Sequence, residues 1–222
     1  DANLMNLTET DFQSKLKSLK PDIVGITVLM DQYAPSGHKA ASLVKAYDKN
    51  ITVLMGGVYA TMNPNLVMED SNIDYAVIGE GEYILSELIG FFMGKNSRPK
   101  KGISFRLNGK IVNTGHSDYI ENLDNLPLPA YYLIDFDKYA RNAFRKSVDS
   151  PRKYPYARLM TSRGCPCGCV FCQVEGISGK KFRYRSAENV LDEIERLKKK
   201  YGIKSLIFDD DNLFLNKKRT KS

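Results

Sequence analysis

No cysteine occurs outside residues 165–172 of this 222-residue chain, which excludes a framework of long-range disulfides. Histidine is almost missing: His38 and His116 are the only two, and both lie far upstream of the cysteines. No uninterrupted apolar run approaches the ~18 residues of a membrane span, and residues 1–11 have neither the basic start nor the apolar stretch of a secretion signal. The chain therefore reads as cytoplasmic. With 16 Gly and 9 Pro it is neither collagen-like nor low in complexity. A composition of 42% hydrophobic and 27% charged residues fits a globular protein with one large or two small cores.

Charge is spread unevenly. Residues 1–140 carry 13 Lys and Arg against 17 Asp and Glu, whereas residues 141–222 carry 20 against 9. The asymmetry points to two domains, of which the second is basic. A basic half is an electrostatic footprint for nucleic acid. Here, however, Lys198-Lys199-Lys200 closes an amphipathic helix, where cations meet the negative end of the helix dipole. A solvated helix face is the preferred reading, and nucleic acid is not the expected partner.

Helical and strand signals alternate along the first part at the spacing of βα units, so its fold class is α/β with a parallel sheet. Thr8 or Thr10 caps a helix with Phe12, Leu16 and Leu19 on one face, and Pro21 stops it. Residues 23–29 are almost wholly apolar, as in a strand covered on both faces. A helix from Ser36 to Tyr47, a strand at 51–55 running into Gly56-Gly57, and a short helix starting near Pro64 follow. Then come a strand at 73–78 running into Gly79-Glu80-Gly81-Glu82 and a helix from Tyr83 to Met93. Residues 102–112 read as a hairpin turning at Asn108-Gly109, which caps the first domain. The pattern predicts a first domain over 1–115, a linker over 116–154 that packs on the surface through Tyr131, Tyr132, Leu133 and Phe136, and a second domain over 155–222. That second domain holds a strand at 158–162, a helix from Ala187 to Tyr201 between Ser186 and Gly202, and a strand at 205–208. It is one βαβ unit of a barrel that needs up to ~250 residues. The chain is expected to lack segments at both ends and to be inactive by itself.

All four cysteines fall within Cys165-Pro166-Cys167-Gly168-Cys169-Val170-Phe171-Cys172, a clustering that indicates metal. Cys165, Cys169 and Cys172 are spaced C-x3-C-x2-C after a strand, and Gly164 and Gly168 let the backbone wrap. Three thiolates on a 4Fe-4S cube leave one iron open to an outside ligand, as a catalytic cluster requires. Zinc, the competing reading, wants four ligands usually arranged as two pairs, and the C-x-C-x-C crowding makes a tetrahedral site awkward.

This loop, with Phe171 before its last cysteine and Thr161-Ser162-Arg163-Gly164 ahead of it, resembles the radical S-adenosylmethionine (radical SAM) enzymes. The resemblance implies that Cys165, Cys169 and Cys172 hold a 4Fe-4S cluster whose open iron is chelated by S-adenosylmethionine, with Phe171 near the adenine. Reductive cleavage of the sulfonium would give a 5′-deoxyadenosyl radical. Arg185, Asp210 and Asp211 would lie near the S-adenosylmethionine at strand ends of a partial (β/α) barrel. Against them stands the plainer reading of capping or surface acids. Cys167 departs from the family, which often has an aromatic there, and is taken as a bystander.

In the first part, Thr27-Val28-Leu29, Gly56-Gly57 and Gly79-Glu80-Gly81-Glu82 all sit at strand ends, where parallel sheets bind ligands. Together with the cysteine loop, the pattern resembles cobalamin-binding radical SAM proteins, over nearly the whole chain. The implied fold is a flavodoxin-like (Rossmann-like) cobalamin domain followed by the start of the radical SAM barrel. By the same resemblance Thr27, Val28, Leu29, Gly56 and Gly57 embrace the cobalamin, with Gly79, Glu80 and Gly81 in the following loop. The D-x-H-x-x-G element of some cobalamin proteins would fall ahead of residue 1. His38 and His116 are read as polar surface residues. The expected activity is methyl transfer, or cyclisation or rearrangement, on a small organic substrate of lipid or tetrapyrrole type, with a flavodoxin or ferredoxin as electron donor and an oxygen-sensitive cluster. A tRNA methylthiotransferase is the second enzymatic reading, but that family carries three more cysteines upstream, and residues 1–164 have none. A non-catalytic cobalamin or iron–sulfur module is the third.

Overall fold

The computed structural model describes residues 7–142 and 153–221. The end of the expected linker, 143–152, lies outside the described residues. The chain divides into two compact units, residues 1–119 with 176–178 and residues 120–175 with 179–222.

The first unit opens with α1 (Glu9–Leu19). Thr8 caps it: the Asp11 N–H donates to the Thr8 hydroxyl at 3.1 Å, and the Thr8 N–H donates to the Asp11 carboxylate at 2.9 Å. Leu16 is buried and Phe12 packs on the core, but Leu19, expected on the same face, is 74% exposed. It is the final helical residue, while the first turn is the part tied to the next helix, through the Glu9–Lys39 pair.

The sheet then builds by parallel crossovers: β1 (Ile23–Thr27), α2 (Ala34–Tyr47), β2 (Thr52–Gly56), α3 (Val58–Met62), α4 (Pro64–Glu69) and β3 (Tyr75–Val77). After α5 (Gly81–Phe92), β4 (Ile103–Leu107) and β5 (Lys110–Asn113) extend the sheet antiparallel, in the order β1-β2-β3-β4-β5. Alternate residues serve two cores, as strand geometry requires. Val53, Met55 and Ala76 join Ala41, Val44, Tyr59 and Val67 on one face, and Tyr75 and Val77 join Ile84, Leu88, Ile103 and Phe105 on the other.

Four expectations change. Residues 23–29 are not a strand covered on both faces: β1 ends at Thr27, lies at the edge of the sheet among the described residues, and has only one face covered. Its Val24 and Ile26 pack inward, while Gly25 and Thr27 are exposed. Helix α2 begins at Ala34, with Pro35 in its first turn. The short helix expected to start near Pro64 is α4, as read, but a further helix that was not expected, α3, precedes it across Asn63. The hairpin does more than cap the domain, since β4 pairs with β3. Its turn is as read, with Asn108 and Gly109 at φ 49° and 77°.

In the second unit, β6 (Tyr156–Leu159) and β9 (Ser205–Phe208) pair in parallel. Between them in sequence lie β7 (Ser162–Arg163), α7 (Val174–Ser178), β8 (Arg183–Tyr184) and α8 (Ala187–Tyr201). The strand expected at 158–162 thus divides: β6 starts two residues earlier, and Ser162-Arg163 pairs antiparallel with Arg183-Tyr184. Ser186 caps α8 by accepting from the Asn189 N–H at 3.1 Å, and Gly202 ends it in a left-handed conformation, both as read. Residues 120–142, expected as linker, belong to this unit. They form α6 (Phe136–Asn142), whose Phe136 stacks on Tyr201 at 4.1 Å, and Tyr131 packs on the same core, while Tyr132 and Leu133 stay exposed. Short α9 (Lys217–Lys221) ends the unit. No helix among the described residues is long and apolar enough to cross a membrane.

Candidate functional site

The cysteine loop leaves β7 through Gly164, at φ 82°, and turns again at Gly168, at φ 61°. The Cys165 N–H donates to the Gly179 carbonyl at 3.1 Å, and the Cys172 N–H to the Cys169 carbonyl at 2.9 Å. Cys165 is half-buried, Cys167, Cys169 and Cys172 are exposed, and Phe171 is 87% exposed. The Cys167 thiol is pushed up, first by its hydrogen bond to Cys165 and then by the charge of that neighbour. Among the described residues no three His, Cys, Asp or Glu side chains are gathered as a metal site. The donors nonetheless fit an iron–sulfur cluster in kind: three thiols with the required spacing share one exposed loop. Thiolates of such a loop are drawn into coordination by the metal itself, because binding and local ordering are one equilibrium.

The three acids after β9 are placed differently, and two of them have partners that offset their adjacency. Asp209 pairs with the Arg158 guanidinium. The Asp210 carboxylate accepts from the Thr161 N–H at 3.1 Å, from the Thr161 hydroxyl at 2.8 Å and from the Ser162 hydroxyl. It therefore anchors the strand that leads into the cysteine loop. Asp211 is exposed, and its carboxyl is pushed up by partial burial first and by the charge of Asp210 second.

Arg185 faces into the unit. Its guanidinium donates to the Asn189 side-chain carbonyl at 2.7 Å and meets the Glu193 carboxylate at 2.5 Å. Glu193 is 2% exposed, and its other oxygen accepts from the Tyr131 hydroxyl at 2.6 Å. Burial, and then that bond to Glu193, drive the Tyr131 phenol far above its ordinary range. A buried carboxylate demands a paired cation, so Arg185 is held by α8 and touches the cysteine strand through its backbone, N–H to the Thr161 carbonyl at 2.9 Å. Sequence reasoning missed Glu193, although the signal was there: it sits among Val190 and Leu197 on the buried face of the helix. It also missed Arg219, whose guanidinium donates to the carbonyls of Arg185 at 2.9 Å and Thr161 at 3.1 Å. No motif marks a side chain whose hydrogen bonds to backbone carbonyls carry no sequence pattern.

In the first unit, Thr27-Val28-Leu29, Gly56-Gly57 and Gly79-Glu80-Gly81 follow the ends of β1, β2 and β3, so the parallel sheet brings them to one edge. The Val28 N–H donates to the Gly56 carbonyl at 3.0 Å, and the Tyr59 N–H to the Val28 carbonyl at 3.1 Å. Val28 is buried and Leu29 exposed. At Gly57, φ is 91°, and a Cβ would lie 2.5 Å from the Val28 carbonyl oxygen. Glycine is required there by both backbone angle and close approach. Gly57→Ala is expected to destabilise this unit by about 2–3 kcal/mol, a fall in Tm of roughly 10 °C. Calorimetry showing no fall would mean the two loops do not meet as described.

Gly79 is needed for internal packing: φ is 91°, and a Cβ would run into the His116 ring and the Ser117 hydroxyl. Glu80 is buried just ahead of α5, and Gly81 begins that helix. The two histidines, read as polar surface residues, are partly buried, and both have ring nitrogens bonded to the protein. His38 Nδ1 lies 2.7 Å from the Asp70 carboxylate, and its Nε2 lies 3.2 Å from the Tyr59 hydroxyl. For Asp70, burial raises the carboxyl, but hydrogen bonds from the Asn72 N–H, His38 and the Asn72 amide outweigh it and hold it below the ordinary range. His116 Nδ1 lies 2.7 Å from the Ser117 carbonyl oxygen.

Two family models match the chain: the B12 binding domain over residues 3–89 and the radical SAM superfamily over residues 159–221. An uncharacterized methyltransferase of Pyrococcus horikoshii is 37% identical over 216 residues, covering 96% of this chain and 45% of the relative. The anaerobic magnesium-protoporphyrin IX monomethyl ester cyclase of Rubrivivax gelatinosus is 31% identical over 229 residues, covering 99% of this chain and 39% of the relative. The chain thus spans less than half the length of these curated relatives. Among solved structures, the cobalamin-dependent S-adenosylmethionine radical enzyme OxsB, with aqua-cobalamin and S-adenosylmethionine bound, matches with a TM-score of 0.73. It is 22% identical, and the match covers 92% of this chain and 27% of that one. At that identity the likeness speaks to the fold alone: a Rossmann-like domain followed by the start of a radical SAM barrel.

Proposed function

Because the chain belongs to the family that joins a B12-binding domain to a radical SAM domain, we propose that it is the cofactor-holding part of a cobalamin-dependent radical S-adenosylmethionine enzyme. The observation that carries this reading is the presence in one chain of a three-thiol loop, Cys165, Cys169 and Cys172, and a glycine-bearing edge at the carboxyl ends of a parallel sheet. Thr27, Leu29, Gly56 and Gly57 would hold the cobalamin and the three cysteines the 4Fe-4S cluster. Once bound, these groups supply a one-electron reductant for the sulfonium of S-adenosylmethionine and a carrier for a methyl group.

The protein's own part is positioning. Phe171, exposed beside Cys172, would cover the adenine. Asp211 is the acid left accessible for the methionine ammonium, while Asp210 fixes Thr161 and Ser162 beneath the loop. Arg185 and Glu193 act behind it, as the pair that seats α8. In the whole protein the reaction would be methyl transfer or a ring closure on an organic substrate of tetrapyrrole or lipid type, with a flavodoxin or ferredoxin supplying electrons.

One spectrum tests both sites. The chain is reconstituted anaerobically with iron and sulfide, incubated with hydroxocobalamin and desalted. Retained iron–sulfur and corrin bands are expected together. Loss of the corrin bands would withdraw the cobalamin assignment, and absence of a cluster from a folded sample would withdraw the radical assignment.

A further inference from the structure

On the second unit, away from the cysteine loop, a cavity of about 240 Å³ opens between residues 128–132 and the later turns of α8. Its apolar walls are Leu128, Pro129, Leu197 and the side chains of Tyr131, Tyr132 and Tyr201. Three ionisable groups complete it: Glu193, Arg196 and Lys200.

Their charges do not cancel within the cavity. Glu193 is engaged from elsewhere: Oε1 accepts from the Tyr131 hydroxyl and Oε2 forms an ion pair with the Arg185 guanidinium, so its charge is already matched. Arg196 and Lys200 stand one turn apart on α8, and among the described residues neither is paired with a carboxylate. The Lys200 ammonium instead lies 5.8 Å from the Tyr132 ring centre and 5.3 Å from that of Tyr201. The helix end contributes roughly half a negative charge, less than the two cations. A slot walled by aromatic rings and edged by two cations suits a flat body with one negative end.

We propose that this cavity is a binding site for a small planar organic anion, an aromatic monocarboxylate of one or two rings. The rings lie among the tyrosines, and the carboxylate takes the Arg196 fork with Lys200 beside it. None of its walls belongs to the cysteine loop or to the glycine edge, and the two cations it offers, Arg196 and Lys200, have no part in the cofactor reading.

The test is titration of the chain with 2-naphthoate and with its neutral counterpart 2-naphthamide, read by calorimetry and by saturation-transfer NMR. Naphthoate is expected to saturate with a Kd of roughly 0.1–1 mM, and the amide to bind at least about tenfold more weakly. Arg196→Gln with Lys200→Gln changes two exposed helix positions, so folding, checked by circular dichroism, is retained. In that variant naphthoate is expected to fall to the level of the amide. Tyr132→Ala, also at an exposed position, is expected to weaken both probes by removing a wall. Equal affinity for acid and amide, unchanged naphthoate binding in the double glutamine variant, or no saturation by about 10 mM would each overturn the proposal.

Discussion

Replacing Cys165, Cys169 or Cys172 by alanine, one at a time, is expected to abolish the iron–sulfur absorbance of the anaerobically reconstituted chain, whereas Cys167→Ala leaves it. A cube held by three thiolates already has one iron without a protein ligand. Removing a further thiolate leaves two on an exposed loop, with no neighbouring His, Asp or Glu gathered to replace it among the described residues. Iron content should drop from about four per chain to near zero in each of the three variants. In the whole protein, reductive cleavage of S-adenosylmethionine should vanish with it. Cys167 is as exposed as Cys169 and Cys172, so exposure does not set it apart. The C-x3-C-x2-C spacing does, and a cluster that survived any of the three substitutions, or was lost with Cys167, would refute the ligand assignment.

Glu193→Ala is expected to cost about 3–5 kcal/mol, since truncating one partner of a buried ion pair strands the other. Here the Arg185 guanidinium loses its counter-charge and keeps only neutral acceptors such as Asn189, and the Tyr131 hydroxyl loses its acceptor. For a unit of this size the corresponding fall in Tm is roughly 15 °C or more. Glu193→Gln should be milder, because an amide can still accept from Tyr131. The effect reaches the cysteine loop, because the Arg185 N–H and the Arg219 guanidinium both hold the Thr161 carbonyl, one residue before β7. Cluster retention after desalting should therefore fall together with Tm. Calorimetry giving a loss under about 1 kcal/mol would show the pair to be solvent-screened.

Much of the fold was legible from local chemistry. The helix from Ser186 to Gly202 could be read because its cap, its periodicity and its glycine stop are set by residues within a few positions of one another. The Asn108-Gly109 turn was readable for the same reason, since both residues accept the positive φ angles it needs. The linker was misread because its aromatic residues have no periodicity of their own. Tyr131 and Phe136 become core only when α8 and Tyr201 come to meet them.

At the site the division is similar. Which donors the proposed sites can offer was legible in the chain, three thiols at a fixed spacing in one loop and glycines after successive strands, because spacing and backbone freedom are local properties. The partner of each charged group was set by folding. It matched Asp210 to Thr161 and Ser162, and Arg185 to Glu193, and it turned His38 toward Asp70. A buried charge or imidazole takes whichever partner the packing brings within hydrogen-bond distance, and the partners here lie 8 to 49 residues away along the chain.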